Sequence, residues 1–595
     1  MAILDHSSGL NFLRVGVLLT GIAWTIPFLQ PYHHYPLTAF YSEWLAFALG
    51  LATAVPLLRK ESWHEATVPF IALAPLALAA VVAVQVALGR VPYAEQGLIA
   101  GLYLAWSGLL LLLGHTLGRG LALDSIARTL AWFLLAGGLL QALVGLAQHY
   151  SFSGPLDFLV ARKGWQVIYG NLGQPNHYAA CVTLSLASAA YLYGRGSLRG
   201  ALAGACAALF LIVLALAGSR SSWLYLATLA ALALLLHRRQ GDGASRRLAL
   251  FACWLLPGFM VAHGLVMIPF LAPAEGPLMT TSAERLFQVA AGIAPRLQLW
   301  SEAWQMFLSA PILGAGFGRF AWHHFLHQAA GEATAAPGLF NHAHNIVLHL
   351  MAETGIAGAL IIVGAVLAWL ADLRRVSLDP AWWWLLSALA VMGIHSLLEY
   401  PLWYSYFLGP TAFLLGLGAQ RHFVPRLPGA GRAAVALALA AGCVNLAAVI
   451  PPYRDFERLV FGAGPQSSSD PAFAQELMEV HREPLLRPYV ELAIAHGVSV
   501  DRAQLDDKLD LVTRALHFAP LEVVAYRQAL LLALAGHAQA AREQLSRSLA
   551  VYPAERAAVV VELEQLVPRH PSELAPLLEL ATSKIGDGRA TRDGR

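Results

Sequence analysis

Residues 341–360 read NHAHNIVLHLMAETGIAGAL, an apolar helical pattern with two histidines, His342 and His344, at its front. The apolar run continues past residue 360, and crossing a bilayer takes roughly 17–25 such residues. The histidines therefore lie where a polar loop re-enters a membrane. Ionisable side chains at such a boundary indicate a functional site more often than a structural one.

The composition of the whole chain supports a membrane protein. Of its 595 residues, 57% are hydrophobic and only 13% are charged, and the mean hydropathy is +0.57. Soluble domains carry about 25% charged residues. A net charge of +3 is too small to suggest nucleic-acid binding. The four cysteines lie far apart in apolar runs and predict neither a disulfide framework nor a metal site.

Apolar runs of spanning length recur about thirteen times before residue 452. Their approximate centres are Leu18, Leu49, Ala77, Ala105, Ala136, Ser185, Phe210, Ala227, Phe259, Val363, Ala388, Phe413 and Leu439. With the N-terminus placed inside, arginine and lysine are more than twice as frequent in the inside segments as in the outside segments, as expected for cytoplasmic loops. The loop 271–343 and everything after Pro451 then lie outside.

The region after residue 452 has a different character. Its charge density rises, and its predicted helices are separated by glycine and proline. The spacing of Gly536, Ala541, Leu545 and Pro553 resembles a tetratricopeptide-type helix pair, and Pro520 precedes Pro553 by one repeat length. Two degenerate repeats would present a concave surface; a single helical hairpin of no special meaning is the alternative. The last residues, 586–595, have a composition typical of a disordered tail.

Polar residues predicted to lie outside gather in four places. They are Gln174, Asn176 and His177 before one helix; Arg220 in a tight turn; Arg296 and Arg319 around an amphipathic helix; and the stretch with His342, His344 and Asn345.

Arg220 is the most informative of these residues. It occupies a short turn between two apolar runs, where a charge is expensive and usually faces an internal cavity. A guanidinium group pairs bidentately with phosphate oxygens and stays charged. Two such arginines suit a pyrophosphate, with Arg296 as the second and Arg285 and Arg319 as weaker candidates. Snorkelling to a lipid phosphate is the alternative.

The two histidines, His342 and His344, admit three interpretations. As zinc ligands they lack an HExxH motif, and the outside carboxylates nearby are few, so we expect no metal. As a general base, a neutral imidazole could take a proton from an attacking hydroxyl at neutral pH. As residues that merely cap the helix, they would have no chemical role. We favour the general base for at least one of them.

These motifs resemble a known superfamily. His344-Asn345, nine residues, Gly355, two residues and Gly358 form the H-N-x9-G-x-x-G pattern of O-antigen ligases and related enzymes. GNLGQPNH (170–177) and HSLLEYPLWYSYFLG (395–409) are similar to signatures of the bacterial O-linked oligosaccharyltransferases, the PglL-type pilin-glycosylation branch. The resemblance covers about residues 10 to 450.

The resemblance implies a reaction. The family transfers a glycan from a polyprenyl-diphosphate carrier, here undecaprenyl diphosphate, to a hydroxyl acceptor without a metal or other cofactor. Arg220 and Arg296 would bind the diphosphate, and His344 would be the general base. His342, Asn345, Asn176, His177, Gln174, Arg319, His395 and Glu399 would have supporting roles.

The resulting prediction is an all-α, polytopic protein of the bacterial inner membrane with about 13 transmembrane helices. A transferase domain would cover residues 1–451, including the periplasmic loop 271–343, and a periplasmic helical module would cover 452–585. The cytoplasmic N-terminus places the active site in the periplasm, and membrane lipids surround the helices. The acceptor would be a pilin-like or other periplasmic protein, because helical repeats commonly bind polypeptide.

Other functions remain open at this point. The same chemistry could serve an O-antigen ligase acting on the lipid A core, or an O-antigen polymerase. A transporter of lipid-linked sugars is a distant alternative, because it has no use for H-N-x9-G-x-x-G and needs polar groups through the membrane thickness.

Overall fold

The structure, a computed structural model, describes residues 2–63, 67–152, 154–162, 164, 167–268, 289–329, 338–462 and 471–583. The described part of the chain is almost entirely helical, which confirms the predicted all-α class. Two short strands, β1 (Val68–Pro69) and β2 (His422–Phe423), pair antiparallel with Val68 opposite Phe423. The predicted disordered tail, 586–595, and the weaker candidate Arg285 lie outside the described residues.

The helices fall into three runs along the chain. The first run is α1 (Ala2–Ala23), α2 (Ile26–Leu29), α3 (Phe40–Thr53), α4 (Leu73–Ala87), α5 (Ala94–Gly120), α6 (Leu123–His149), α7 (Pro175–Gly194), α8 (Gly200–Ala217), α9 (Ser221–Gln240) and α10 (Gly243–Val266). The second run is α11 (Val289–Ser309), α12 (Phe320–Ala329), α13 (Ile346–Asp372), α14 (Pro380–Leu398), α15 (Ser405–Leu417) and α16 (Pro428–Gly462). The third run is α17 (Pro471–His481), α18 (Arg487–Gly497), α19 (Leu505–Phe518), α20 (Glu522–Leu534), α21 (Ala538–Val551), α22 (Arg556–Leu566) and α23 (Pro571–Ser583).

Eleven helices among the described residues are long and apolar enough to cross a membrane. They are Asn11–Leu29, Phe40–Leu58, Phe70–Ala87, Ala94–Gly120, Leu123–His149, Gly200–Ala217, Ser221–Gln240, Gly243–Val266, Ile346–Arg375, Pro380–Leu398 and Pro428–Val460. The chain is thus a multi-pass membrane protein, as predicted. The count of thirteen spans stays a prediction.

The two predicted spans outside this set, centred on Ser185 and Phe413, fall on α7 and α15. Helix α15 has 13 residues and is short for a span. Helix α7 has 20 residues but contains serine, threonine and tyrosine and is buried along nearly its whole length. Its Thr183 and Ser185 hydroxyls donate to the carbonyls four residues earlier, which satisfies them inside the protein. Its lower hydropathy therefore reflects a helix enclosed by other helices.

The chain divides into two compact units. The first unit comprises Met1–Leu78, Leu102–Gly292 and Leu360–Ala448. Its apolar core surrounds α7 and contains large, fully buried side chains, among them Trp384, Tyr178 and Phe210. Close packing of such residues holds the helices that carry Arg220 and Glu399.

The second unit comprises Ala79–Gly101, Ile293–Ala359 and Val449–Arg595. The described part of the predicted outside loop, after residue 293, thus shares a compact unit with the C-terminal helices. Phe325 of α12 is fully buried in a core cluster with residues of α18, α19 and α20. Removing such a ring costs about 3–5 kcal/mol, so α12 is a structural part of the helical array.

Among the C-terminal helices, α18 packs on α19, α19 on α20, α20 on α21, and α22 on α23. Gly536 lies in the turn between α20 and α21, and the Tyr526 hydroxyl donates to the Tyr552 carbonyl at 2.9 Å. Helices of 11–14 residues joined by short turns are compatible with degenerate repeats. The repeat assignment and the domain limits 1–451 and 452–585 stay predictions.

Candidate functional site

The GNLGQPNH stretch (170–177) folds as a fixed turn in the first unit. The side chains of Gln141 and Gln148 accept from its backbone N–H groups, with Gly170 N to Gln148 Oε1 at 2.9 Å. Gly170 has a φ of +57°, and a Cβ there would lie 2.2 Å from the Gln141 Oε1 atom. Only glycine fits at this position, which explains why Gly170 begins the GNLGQPNH motif.

The rest of the string begins α7. Gln174 is the N-cap, and its Oε1 accepts from the His177 N–H at 2.7 Å. Pro175 occupies the first helical position, where its missing N–H is harmless. The capping role of Gln174 fixes Asn176 and His177 in the first turn of the helix.

Asn176 is the centre of a hydrogen-bonded cluster, named here the Asn176 cluster, formed by Asn176, Ser219, Ser221 and Glu399. Asn176 Nδ2 donates to Glu399 Oε1 at 2.9 Å, and Ser219 Oγ donates to Asn176 Oδ1 at 2.7 Å. The hydroxyls of Ser219 and Ser221 lie 2.7 Å apart. Arg220 stands between these serines at the N-cap position of α9, partly buried. The cluster therefore fixes the backbone that carries Arg220.

His177, the residue after Asn176, lies against His395. Both are buried, and their ring centroids are 5.3 Å apart. Tyr404 and Phe407 contact the His177 ring at 4.8 and 5.1 Å. The structure thus brings together all six candidates of the first unit, which are Gln174, Asn176, His177, Arg220, His395 and Glu399.

The second unit holds the remaining candidates. His342, His344 and Asn345 lie in residues 341–345, named here the His344 loop. His344 has a φ of +52°, a left-handed conformation that costs a non-glycine residue of order 1–3 kcal/mol. Its Nδ1 lies 3.0 Å from the His342 carbonyl oxygen. Since a carbonyl only accepts, Nδ1 carries the hydrogen, and Nε2 of the neutral ring carries the lone pair. Asn345 Oδ1 accepts from the N–H groups of Val347 and Leu348 and caps α13.

Burial is the main cause that lowers the pKa of His344, to about 4. The Nδ1 bond to His342 opposes this shift, whereas the charge of Arg296 adds to it. The pKa of His342 is lowered further by burial and by its histidine neighbours. Both rings are therefore neutral near pH 7, the state that a general base requires.

Arg296 reaches this region from α11, which packs through Leu299, Ala303 and Met306 against Ala343 and Ala352. A buried hydrogen bond joins α11 to α12, with His324 Nδ1 2.6 Å from Glu302 Oε2. The structure therefore places Arg296, His342, His344 and Asn345 in one region of the second unit.

Arg319 lies in the turn before α12. Burial lowers the pKa of its guanidinium, and its Nε is buried without a hydrogen-bond partner among the described residues. Its charge contributes to the lowered pKa values of His323 and His517, which burial chiefly causes. Arg319 thus faces α12 and α19, and its supporting role stays a prediction.

The second part of the H-N-x9-G-x-x-G pattern marks a break in α13. Gly355 has φ +66° and ψ −167° inside the helix, and a Cβ would lie 2.3 Å from the Ile312 carbonyl oxygen. The N–H groups of Ile356 and Ala357 donate to the carbonyls of Pro311 and Ile312 instead of continuing the helix. The broken helix is thereby joined to the turn 311–318.

Two side chains from residues 79–101 secure the same turn. Gln85 is fully buried; its Nε2 donates to the carbonyls of Leu313 and Glu353, and its Oε1 accepts from Phe317 N at 3.0 Å. Arg90 Nη1 donates to the Gly314 carbonyl at 2.6 Å. The Arg90 guanidinium is therefore a structural donor in this turn.

Sequence reasoning missed several polar residues of this region, namely Gln85, Glu302, His324, His349 and Glu353. All five are buried, and His349 and Glu353 stand four residues apart in an apolar helix. Ionisable residues within an apolar run, as at His349 and Glu353, usually indicate a functional site and could have been recognised from the sequence. Among the described residues, no three His, Cys, Asp or Glu side chains are arranged to hold a metal ion. Metal independence stays a prediction.

Three family models match parts of this chain. Residues 205–363 match the family model described as O-Antigen ligase. Residues 168–193 match the model described as Protein glycosylation ligase, and residues 383–566 match Virulence factor membrane-bound polymerase, C-terminal. By these matches, the chain is similar to the multi-pass membrane proteins of the O-antigen ligase superfamily.

Two relatives narrow the class. A General O-oligosaccharyltransferase of Acinetobacter baylyi is 27% identical over 407 residues, 67% of this chain and 69% of that protein. A ComP-specific O-oligosaccharyltransferase of the same organism is 23% identical over 295 residues, 49% of this chain and 51% of that protein. The predicted resemblance to the PglL-type O-oligosaccharyltransferases is confirmed.

Proposed function

We propose that this protein transfers an oligosaccharide from undecaprenyl diphosphate to Ser or Thr hydroxyls of periplasmic proteins. The observation that carries the proposal is the state of His344. Its Nδ1–H is bound to the His342 carbonyl at 3.0 Å, which leaves the lone pair on Nε2. The charge of Arg296 acts on the same ring. A neutral base beside a cation suits the deprotonation of a hydroxyl next to a diphosphate.

His344 acts on the acceptor. Its Nε2 takes the proton from the Ser or Thr hydroxyl while the oxygen attacks the anomeric carbon of the first sugar. The bond between this carbon and the diphosphate oxygen breaks in the same step, so the configuration inverts. No glycosidase-like carboxylate pair is required, because the diphosphate leaves readily.

Arg220 and Arg296 act on the donor. Both roles follow from the resemblance: their guanidinium groups bind the diphosphate and neutralise the charge that grows as it leaves. The Asn176 cluster supports this assignment for Arg220, because it fixes the turn on both sides of that residue. The reaction needs no metal, since the arginines supply the positive charge.

The proposed location is the bacterial inner membrane. The N-terminus is cytoplasmic, and the active site and the C-terminal helices are periplasmic. The bias of arginine and lysine between the two sets of loops supports this orientation.

A second candidate is transfer to another glycan or to the lipid A core. It is favoured by the matches at residues 205–363 and 383–566, whose families are described as an O-antigen ligase and a membrane-bound polymerase. The catalytic residues and the donor would be the same, and only the acceptor would differ.

The deciding experiment is transfer in vitro with purified full-length protein, lipid-linked oligosaccharide and EDTA. A pilin-like protein and a lipid A core are offered as acceptors in separate reactions. We expect glycan on the protein, with rates at least about a hundredfold lower for His344→Ala, the usual effect of losing a general base. Arg220→Ala and Arg296→Ala should also lose activity, consistent with the loss of charge stabilisation.

Two exposed residues of the C-terminal helices provide matched controls. His537→Ala and Arg542→Ala remove the same side-chain types at exposed positions and should leave transfer unchanged. Glycan on the lipid A core alone would establish the second candidate. Full activity of His344→Ala would refute its assignment as the base, and dependence on a metal would refute the proposed mechanism.

A further inference from the structure

The strained backbone of His344 requires neighbours that hold it. A left-handed conformation at a histidine persists only where surrounding contacts fix it. Asn345 acts on the helix that follows, through the N–H groups of Val347 and Leu348. The residues before His344 are held by a different side chain, His349.

His349 contacts both residues that precede His344. Its Nδ1 accepts from the Ala343 N–H at 3.3 Å. Its ring stacks on the ring of His342, with centroids 4.8 Å apart and an interplanar angle of 28°. His349 is itself buried, with 2% of its surface exposed. Its position therefore determines where the chain enters His344.

Glu353 in turn fixes His349. Because Nδ1 of His349 accepts a hydrogen bond, the ring hydrogen is on Nε2. Nε2 lies 3.3 Å from Glu353 Oε2, a close polar contact outside regular hydrogen-bond geometry. The other carboxylate oxygen, Oε1, accepts from the Phe320 N–H at 3.1 Å. The Glu353 backbone carbonyl accepts from Gln85 Nε2 at 2.7 Å and from Gly316 N at 3.1 Å. Glu353 is thus immobilised from several sides.

We infer that His349 and Glu353 are positioning residues for the general base. They touch no reacting group; Glu353 sets the tautomer of His349, and His349 holds Ala343 and His342 so that His344 keeps its left-handed conformation. The inference rests on the proposed function of His344. His349 and Glu353, which are buried near the start of α13, thereby have a specific role in placing His344.

A conservative substitution of Glu353 distinguishes a positioning role from a role in core stability alone. Glu353→Gln keeps the shape and an oxygen that accepts from Phe320. Its amide, however, presents N–H to Nε2 of His349, which can accept only if the ring hydrogen moves to Nδ1. Nδ1–H would then face the Ala343 N–H, and the bond that holds the His344 loop would be lost.

The experiment combines kinetics with ¹⁵N NMR of histidine-labelled full-length protein, which distinguishes the two tautomers. For Glu353→Gln we expect His349 to change from the Nε2–H to the Nδ1–H form. We also expect kcat to fall about ten- to a hundredfold with an unchanged donor KM, because a misplaced base slows chemistry without weakening donor binding. His349→Gln, whose amide can accept from Ala343 and donate to Glu353, should retain more activity than His349→Leu.

Glu491→Gln is the matched control. Glu491 is also buried beside a histidine, with His481 Nε2 3.0 Å from its Oε1, but it lies in the C-terminal helices. This variant should leave kcat and the His349 tautomer unchanged. Wild-type kcat in folded Glu353→Gln, or equal losses in His349→Gln and His349→Leu, would overturn the inference.

Failure of the proposed function has a different signature. If the wild type transfers glycan only to lipid A core, the same kcat comparison is made with that acceptor. If the wild type transfers glycan to neither acceptor, the proposed function fails. The ¹⁵N NMR spectrum of Glu353→Gln then decides by itself whether Glu353 controls the tautomer of His349.

Discussion

Asn176 Nδ2 donates to Glu399 Oε1 at 2.9 Å and joins two residues 223 positions apart in the chain. One belongs to GNLGQPNH and the other to LEYPLWY, the two strings that most specifically resemble the oligosaccharyltransferase branch. The same amide accepts from Ser219, next to Arg220. The two strings are therefore parts of one structure, which fixes the turn of an arginine proposed to bind diphosphate.

Asn176→Asp should destabilise this cluster. The substitution removes the donor and places a second carboxylate against Glu399, where like charges disfavour each other. Losing the hydrogen bond to the buried Glu399 carboxyl group costs about 1–3 kcal/mol. We expect a lower Tm in thermal unfolding of the purified protein followed by tryptophan fluorescence. Glu399→Gln keeps an oxygen that accepts from Asn176 and should lower Tm less; equal effects of the two variants would contradict the role of the amide as donor.

The pKa of His344 predicts the pH dependence of transfer. Burial lowers this pKa to about 4, so the basic form persists below the ordinary histidine value of about 6.5. The rate should therefore stay on its plateau at pH 6 and fall only as the pH approaches 4. Arg296→Gln removes one cause of the lowered pKa, so any remaining activity should decline at a higher pH than in the wild type. A midpoint near pH 6.5 in the wild type would show that His344 titrates as an exposed imidazole.

Stability must be measured alongside the rate, because the same lowered pKa makes the unfolded chain bind more protons in this range. The contribution of His344 to stability is present above about pH 6.5 and is lost as the pH falls to about 4. Rates are therefore compared per folded protein.

Residues could be predicted from the sequence where the residue type and its local pattern together indicate a function. Apolar runs predicted the helices, and Arg220, His344 and Asn176 were recognisable within short motifs. The contact between Asn176 and Glu399 was not predictable, because it depends on how α7 and α14 pack. The left-handed backbone at His344 also escaped prediction, since only a few per cent of non-glycine residues adopt it.

The break in α13 shows a second limit of sequence reasoning. The apolar run through Gly355 predicts one continuous helix centred near Val363, because glycine inside a helical pattern is usually tolerated. The structure breaks there because the N–H groups of Ile356 and Ala357 find acceptors at Pro311 and Ile312. Those partners lie more than forty positions away, beyond any local pattern.

Gly355→Ala tests this break. Its φ of +66° and the Ile312 carbonyl 2.3 Å from the added Cβ make the substitution both strained and overcrowded. We expect a loss of at least about 1–3 kcal/mol, the cost of such a conformation, and reduced transfer, because Gly355 joins the helix of the His344 loop to turn 311–318. Gly364→Ala, in the same helix with open space around it, should be neutral or slightly stabilising by up to about 1 kcal/mol. Equal Tm values for both variants would contradict the close packing at Gly355.

The buried pair Glu302–His324 joins α11, which carries Arg296, to α12. The pair is therefore expected to stabilise the position of Arg296. The 2.6 Å contact between Glu302 Oε2 and His324 Nδ1 is shielded from solvent on both sides. Glu302 also accepts from Gln298 at 2.9 Å, and Gln328 Nε2 lies 2.8 Å from His324 Nε2. Removing one partner leaves a buried polar group unpaired and typically costs about 3–5 kcal/mol.

Glu302→Leu and His324→Phe should therefore each lower Tm strongly, whereas the double variant should recover part of the loss, since an apolar pair of similar volume replaces the buried polar pair. Activity per folded protein should remain in the double variant, because neither residue contacts the reacting groups. Additive losses in the double variant would show that the two side chains stabilise α11 and α12 independently, and the pair would then have no coupling role in placing Arg296.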